Sequence, residues 1–132
     1  MNLRLAKDKE DLIFLYNTRR DEAISKMLTG SPPKDYESHV KYLESVQEKV
    51  RWIFIAFNDE EERVGYCQIY DVSEKKIEVG FVINSFFQGK GYGKKIVIGT
   101  INKSRELFPE RKIVLYVKKN NGKAIHIYKN LG

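Results

Sequence analysis

The chain has 132 residues and a formal net charge of +6 at pH 7, and 42% of its residues are hydrophobic. This length suits one domain with a single core, and the hydrophobic content excludes a disordered tail. No apolar run approaches the roughly 20 residues of a membrane span, and the N-terminus lacks the apolar core of a signal peptide. The single cysteine, Cys67, excludes a disulfide framework or a Cys-rich zinc site, and no metal is expected. A cytoplasmic protein with one domain, residues 1–132, is predicted.

The positive charge is spread along the chain rather than concentrated in a tail. Lysine and arginine are not interleaved with aromatic residues, so most of this charge is predicted to lie on a solvated surface. A phosphorylated cofactor would also suit it. Neither a nucleic-acid partner nor a membrane partner is expected, because no motif for either is present.

The N-terminal part of the chain predicts a strand followed by two amphipathic helices. Residues 3–6 alternate briefly, and Asp8 is then a candidate helix N-cap with Asp11 three positions later. Residues 28–33 contain Gly, Ser and two Pro, which predicts a loop. Apolar residues recur at helical spacing from Tyr36 to Val46 and indicate the second helix.

The rest of the chain predicts three consecutive strands, then a helix, a strand and a last helix. The strands are expected at 52–57, 64–70, 77–83 and 112–117, and the helices from about Gly91 and at 124–131. This order predicts an α+β fold. Its mixed α/β sheet should be antiparallel in the first half and contain a βαβ crossover in the second.

The connection between strand 77–83 and the long helix is rich in glycine and lysine. Its glycines can adopt positive φ and expose successive N–H groups on one side. The helix that follows adds unpaired first-turn amides and the positive end of its dipole. The glycines are Gly89, Gly91 and Gly93, and the lysines are Lys90, Lys94 and Lys95. Together they predict a diphosphate-binding loop, with a plain tight turn as the alternative.

The spacing of this loop matches neither a Walker loop nor the dinucleotide-binding fingerprint. Gln88, Gly91 and Gly93 instead resemble the Gln/Arg-x-x-Gly-x-Gly/Ala signature of the GNAT superfamily of N-acetyltransferases. A second segment, residues 121–132, resembles the Asn-x-x-Ala-x-x-x-Tyr-x-x-Leu-Gly segment of the same family. It follows strand 112–117, as the family requires. The resemblance covers residues 62–132 well and the earlier residues loosely.

The resemblance implies a GNAT fold, with a mostly antiparallel central sheet and flanking helices. It also implies an acetyl-CoA-dependent N-acetyltransferase that moves the acetyl group directly to a primary amine of a small molecule. The glycine loop would hold the pyrophosphate of coenzyme A, and pantetheine would insert between splayed strands. The cofactor-binding residues implied in and around this loop are Gln88, Gly89, Lys90, Gly91, Tyr92, Gly93 and Lys94.

Five further residues are candidates for the transfer chemistry. Tyr128 is predicted to be the general acid, because a phenol can protonate a leaving thiolate. Asn121 would contact the pantetheine arm. The backbone amides near Phe81 and Val82 would polarise the thioester carbonyl. Glu78 is the candidate base, acting through water, and a salt-bridged edge carboxylate is the alternative for it.

Two segments carry the weaker clues to the acceptor. Residues 16–21 and 36–43 resemble a branch that includes N-acetyltransferases of nucleotide-linked amino sugars, as in the pseudaminic-acid pathway of flagellin glycosylation, and acetyltransferases of ribosomal-protein N-termini. Arg19 and Arg20 stand where that branch has Arg-Asn. On the amino-sugar interpretation Arg19 or Arg20 would meet the nucleotide phosphates and His39 would line the acceptor pocket. The alternative is that all three are ordinary surface residues.

Two other classes of function remain open at this point. One is a non-catalytic acyl-CoA-binding module, and the other is a basic nucleic-acid-binding domain. The chain ends at Leu131-Gly132, where the family continues with further strands, so a C-terminally truncated domain that forms a homo-oligomer is expected. His126 is predicted to lie on the surface and Cys67 to be a small buried residue.

Overall fold

The computed structural model describes residues 1–26 and 32–115. Five strands and four α-helices lie within these ranges. The strands are β1 (Asn2–Leu5), β2 (Arg51–Phe57), β3 (Arg63–Asp71), β4 (Lys76–Ile83) and β5 (Lys112–Leu115). The helices are α1 (Lys9–Arg20), α2 (Glu22–Ser25), α3 (Tyr36–Val46) and α4 (Tyr92–Leu107), and a 3-10 turn covers Ser85–Phe87.

The five strands form one sheet in the order β1-β2-β3-β4-β5. The first three pairings are antiparallel, whereas β4 and β5 are parallel and α4 forms the crossover between them. The predicted α+β class and the βαβ crossover are therefore confirmed. No helix within residues 1–26 and 32–115 has the length and apolar content that a bilayer span requires.

Alternation along the strands creates a separate apolar layer on each side of the sheet. One side, here called the α1–α3 face, packs Leu15, Leu43 and Tyr66 together with the apolar residues of the neighbouring strands. The other side, the α4 face, packs Ile96 against Ile77 and other buried strand residues. The sheet is thus covered by three helices on one face and by α4 on the other.

Aspartate caps begin all three helices of the α1–α3 face. Asp8 accepts from the amide of Asp11 in a capping box, as predicted, and Asp35 caps α3 by accepting from the amide of Ser38. The expectation of two helices before the second strand was wrong, because the short helix α2 intervenes and is capped by Asp21. Four residues are too few to produce a recognisable helical period.

A buried carboxylate ties α1 to the sheet. Asp11 is fully buried, and its Oδ1 accepts from Arg4 Nη2 at 2.7 Å and from Arg63 Nε at 3.0 Å. Its Oδ2 accepts from the amide of Lys7 at 3.2 Å. Because β1, α1 and β3 each contribute to this cluster, it holds three distant parts of the chain together.

Several predicted features fall outside the described residues. The strand expected at 112–117 is described as far as Leu115. The helix expected at 124–131 lies beyond that range, and so do Asn121, His126 and Tyr128. Cys67 is within it and is buried, as predicted, and burial raises the pKa of its thiol to about 12.

Candidate active site

The glycine loop connects the end of β4 to the start of α4. Gly89 and Gly91 have φ values of +78° and +85°, in the left-handed region that L side chains rarely adopt. A Cβ added at either glycine would meet nothing within 4 Å, so the space beside both is open. Gly93 lies instead in the first turn of α4. The loop therefore combines two left-handed glycines with an open surface.

The start of α4 differs from the start of every helix on the opposite face. Its N-cap is Gly91, and no side chain of the described residues caps the helix, whereas α1, α2 and α3 each begin at a capping aspartate. The first-turn amides of an α-helix have no partner within the helix. In α4 no capping oxygen competes for them, so an anion can accept their hydrogen bonds.

The side chains of the predicted cofactor residues have different surroundings. Gln88 is exposed and donates from Nε2 to the carbonyl of Ile83 at 3.0 Å, which bridges the loop back to the end of β4. Lys90 Nζ lies 5.0 Å from the centroid of the Phe86 ring. Lys94 is exposed.

The side chain of Tyr92 is hydrogen-bonded to a neighbouring loop and does not extend into solvent. Its hydroxyl accepts from Asn58 Nδ2 at 3.2 Å, and Asn58 belongs to the β2–β3 connection. The side chain thereby anchors the first turn of α4, and the backbone amide of Tyr92 is one of the first-turn amides that could bind a ligand.

β4 places Glu78, Gly80 and Val82 on the α1–α3 face, as predicted. In the antiparallel register they stand opposite Tyr70, Gln68 and Tyr66. Glu78 is partly buried, and within the described residues no ion pair includes it. The alternative of a salt-bridged carboxylate therefore has no support in this part of the chain.

The residues of β4 whose backbone amides were predicted to polarise the thioester are Phe81 and Val82. Phe81 stands opposite Cys67, on the α4 face, and Val82 stands opposite Tyr66. The parallel pairing with β5 is described as far as Val79 opposite Leu115. Phe81 and Val82 lie two and three residues beyond Val79, the last residue of that described pairing.

The two arginines at the end of α1 have different environments. Arg20 is exposed, and its Nη1 donates to the hydroxyl of Tyr16. Arg19 is partly buried, and its Nε is buried without a hydrogen-bond partner in the described structure. No ion pair among residues 1–26 and 32–115 includes Arg19. The two adjacent arginines are therefore not equivalent.

His39 is a buried residue, so the surface interpretation was wrong for it. Only 3% of its surface is exposed, and neither ring nitrogen has a partner among the described residues. Its ring centroid lies 5.9 Å from that of Tyr16 on α1. Burial and, to a smaller extent, the nearby charge of Arg19 together lower the pKa of His39 to about 4. The imidazole is therefore neutral at pH 7.

Two hydrogen bonds connect the end of α1 to the segment that precedes the glycine loop. Asn84 Nδ2 donates to Thr18 Oγ1 at 3.1 Å, and Ser85 Oγ donates to Asp21 Oδ2 at 2.9 Å. These bonds flank Arg19 and Arg20 on both sides along the chain. Sequence reasoning missed them because their partners are more than sixty residues apart and nothing local signals the pairing.

With this geometry established, comparisons with known proteins decide the family. The whole chain, residues 1–132, matches the family model described as an acetyltransferase (GNAT) domain. The chain belongs to the GNAT acetyltransferase family. The predicted enzyme class, an acetyl-CoA-dependent N-acetyltransferase, and the predicted cofactor, acetyl-CoA, are thereby confirmed.

The sequence identity between this chain and individual relatives is low. A spermidine N(1)-acetyltransferase of Vibrio cholerae is 22% identical over 130 residues, which cover 96% of this chain and 75% of the relative. A prophage-derived uncharacterized N-acetyltransferase of Bacillus subtilis is 24% identical over 136 residues, covering 99% of this chain and 75% of that protein. Among solved structures, the Vibrio cholerae spermidine N-acetyltransferase in complex with CoA and spermine superposes with a TM-score of 0.89. That match has 20% identity and covers 99% of this chain and 79% of the other, which establishes the fold.

Proposed function

We propose that this GNAT enzyme acetylates the primary amine of a small molecule on the α1–α3 face of β4. The observation that carries the proposal is the uncapped start of α4 behind the two left-handed glycines, directly after β4. A diphosphate placed there would accept hydrogen bonds from first-turn amides without displacing any protein oxygen. The thioester end of the same ligand would then extend towards β4.

The cofactor would be held mainly by backbone groups. Gly89 and Gly91 leave room for the pyrophosphate, Gly93 supplies a first-turn amide of α4, and exposed Lys90 and Lys94 add positive charge. Gln88 would shape the loop through its bond to Ile83. Asn121, whose position lies outside the described residues, is proposed from the sequence motif to contact the pantetheine arm.

The transfer forms a C–N bond to the amine and breaks the C–S bond of the thioester. The backbone amides near Phe81 and Val82 are proposed to stabilise the negative charge that develops on the carbonyl oxygen. Glu78, which lies on the same face as Val82, would accept the amine proton through water. Tyr128 would return a proton to the departing thiolate, a role that rests on its sequence motif alone.

For the acceptor we propose a nucleotide-linked amino sugar. The support is Arg19, whose Nε has no hydrogen-bond partner among the described residues, and the buried His39 near it, on the face where Glu78 lies. Two other acceptors have weaker support. A polyamine is suggested by the names of the spermidine acetyltransferase relatives, and a protein N-terminus by the resemblance of residues 16–21 and 36–43.

The test is a direct assay of transfer. The purified chain is incubated with acetyl-CoA and a panel of primary amines that contains amino sugars, a uridine-diphosphate-linked amino sugar, spermidine and short peptides. Free CoA thiol and acetylated product are measured together. We expect product only with primary amines, and in equal amount to the CoA released. Acetyl-CoA binding without product from any amine would contradict the proposal and favour the non-catalytic module.

A further inference from the structure

The strongest unexplained feature is a pair of unsatisfied polar side chains between α1 and α3. Buried polar atoms in folded proteins are nearly always hydrogen-bonded, because an unsatisfied group costs roughly 1–3 kcal/mol. Here both ring nitrogens of His39 and the Nε of Arg19 are buried without a partner among the described residues. Unsatisfied nitrogens on two neighbouring buried or partly buried side chains favour a polar ligand subsite at this position.

The position of Arg19 makes this subsite part of the transfer site. Thr18 and Asp21 bond to Asn84 and Ser85, so the end of α1 is held against the segment that leads into the glycine loop. On the inner side, burial raises the pKa of Tyr66 to about 12 and the nearby charge of Arg19 opposes that rise. The partner of Tyr66 across the sheet is Val82. A group bound at Arg19 would therefore lie close to the strand proposed to present the thioester.

The chemistry of the two side chains selects a type of ligand. A guanidinium has five N–H donors and no acceptor, and it matches phosphate or carboxylate through two parallel hydrogen bonds. A neutral imidazole supplies one donor and one acceptor, which suits a hydroxyl group. Asp21, the carboxylate closest to Arg19 in the chain, is already engaged by Ser85 Oγ and by the amide of Ala23.

We propose that Arg19 and His39 form an acceptor subsite for an anionic, hydroxyl-bearing primary amine, of the amino-sugar phosphate class, and that this subsite disfavours polyamines. The inference rests on the proposed function, since it concerns the same site. A polyamine would bring several positive charges towards Arg19, which forms no ion pair with any described residue, and this approach is repulsive. An amino-sugar phosphate would satisfy both side chains.

A matched pair of sugars tests the proposal. Glucosamine and glucosamine 6-phosphate share the amine and the ring and differ in one phosphate group. Both are titrated calorimetrically into the CoA-saturated protein, so that the glycine loop is already occupied. The parent is expected to bind the phosphorylated sugar at least about tenfold more tightly, as one charge-assisted contact would give. Steady-state assays should rank spermidine below glucosamine 6-phosphate in kcat/KM.

Four variants complete the design. Arg19→Gln should reduce the preference for the phosphorylated sugar to about threefold or less, whereas Arg19→Lys should keep part of it because the charge remains. His39→Leu should weaken both sugars to a similar degree. Arg105→Gln removes the same charge from an exposed position on α4 and should keep the preference of the parent.

The outcomes separate this inference from the proposed function. Failure of the parent to bind acetyl-CoA would contradict the proposed function itself. Normal acetyl-CoA binding with no preference for the phosphorylated sugar, with spermidine as the better acceptor, or with the preference intact in Arg19→Gln would overturn only the subsite. Weaker acetyl-CoA binding in Arg19→Gln would also overturn it, by placing Arg19 at the cofactor. Each variant is therefore first titrated with acetyl-CoA, which also verifies that it folds.

Discussion

The cofactor side and the acceptor side of this enzyme are built in different ways. The glycine loop and the start of α4 are contiguous in the sequence, and they offer backbone N–H groups at an exposed, uncapped helix end. The proposed acceptor side consists of two side chains from different helices, the partly buried Arg19 and the buried His39. It depends on contacts between residues far apart in the chain.

This difference explains why the two halves of the site are unequally recognisable. Backbone amides are the same in every relative, so a loop that uses them needs only glycines at fixed positions. Side-chain recognition changes with the acceptor, and it requires the helices to be placed correctly on the sheet. The cofactor is therefore a property of the family, whereas the acceptor must be determined for this chain.

The largest effect is expected from breaking the attachment of α1 to the sheet. Asp11→Asn removes the buried charge that Arg4 and Arg63 share and leaves these arginines only the more exposed carboxylates of Asp8 and Glu10. Breaking this buried ion-pair cluster should cost about 3 kcal/mol of unfolding free energy. Urea denaturation measures it. The matched control is Glu10→Gln, because Glu10 pairs with Arg63 at 3.5 Å but is 79% exposed, and an exposed pair contributes about 0–1 kcal/mol. Equal losses in both variants would contradict a buried structural role for Asp11.

The next prediction tests the cofactor side by charge alone. Gly91→Asp and Gly91→Asn introduce side chains of the same size at a position with φ of +85°, and Asn and Asp both tolerate this conformation better than other residues. If the loop binds pyrophosphate, the aspartate should weaken acetyl-CoA binding by more than about 100-fold, and the asparagine by about tenfold or less. Calorimetric titration measures both. The same loss in the two variants would mean that backbone shape, not charge, had been damaged.

Glu78→Gln tests the proposed general base, which lies on β4 between the cofactor side and the acceptor side. A general base contributes about 100-fold or more to the rate, so kcat should fall by about that factor while acetyl-CoA affinity stays unchanged. Glu74→Gln, on the exposed turn before β4, is the matched control and should behave like the parent. A normal rate in Glu78→Gln would remove Glu78 from the mechanism.

The smallest expected effect is the pH dependence of the unfolding free energy that His39 causes. The pKa of His39 is about 4 in the folded protein against 6.5 for an ordinary histidine. Between these values the unfolded chain binds a proton that the folded chain does not, so stability is fully present above about pH 6.5 and is lost as the pH falls. We expect a loss on the order of 2 kcal/mol between pH 7.5 and pH 4.5.

His39→Gln supplies the control for this measurement. Chemical denaturation of parent and variant at pH 7.5 and pH 4.5 gives four unfolding free energies. The difference between the two pH-dependent changes isolates His39, because the titration of the carboxylates is common to both proteins and cancels. The variant should lack the part of the pH dependence that is due to His39. An identical pH dependence in the two proteins would show that His39 is accessible to protons in the folded state.

Much of the fold could be predicted because its signals are local. The Asp8–Asp11 capping box, the helical period of residues 36–46 and the apolar strand 52–57 each report their own structure, and each was confirmed. Helix α2 escaped prediction because its four residues carry no period. The start of α4 was also placed correctly, since Gly91 is its N-cap.

The sequence by itself determined the family, the enzyme class, the cofactor and the position of the glycine loop. These follow from contiguous residues whose backbone conformation depends on their own chemistry. Only the tertiary structure decided that Arg19 points inwards while Arg20 lies on Tyr16, and that His39 is buried rather than exposed. The physical reason is that burial depends on what packs above a helix, and a helical period of 3.6 residues does not specify which neighbour that will be.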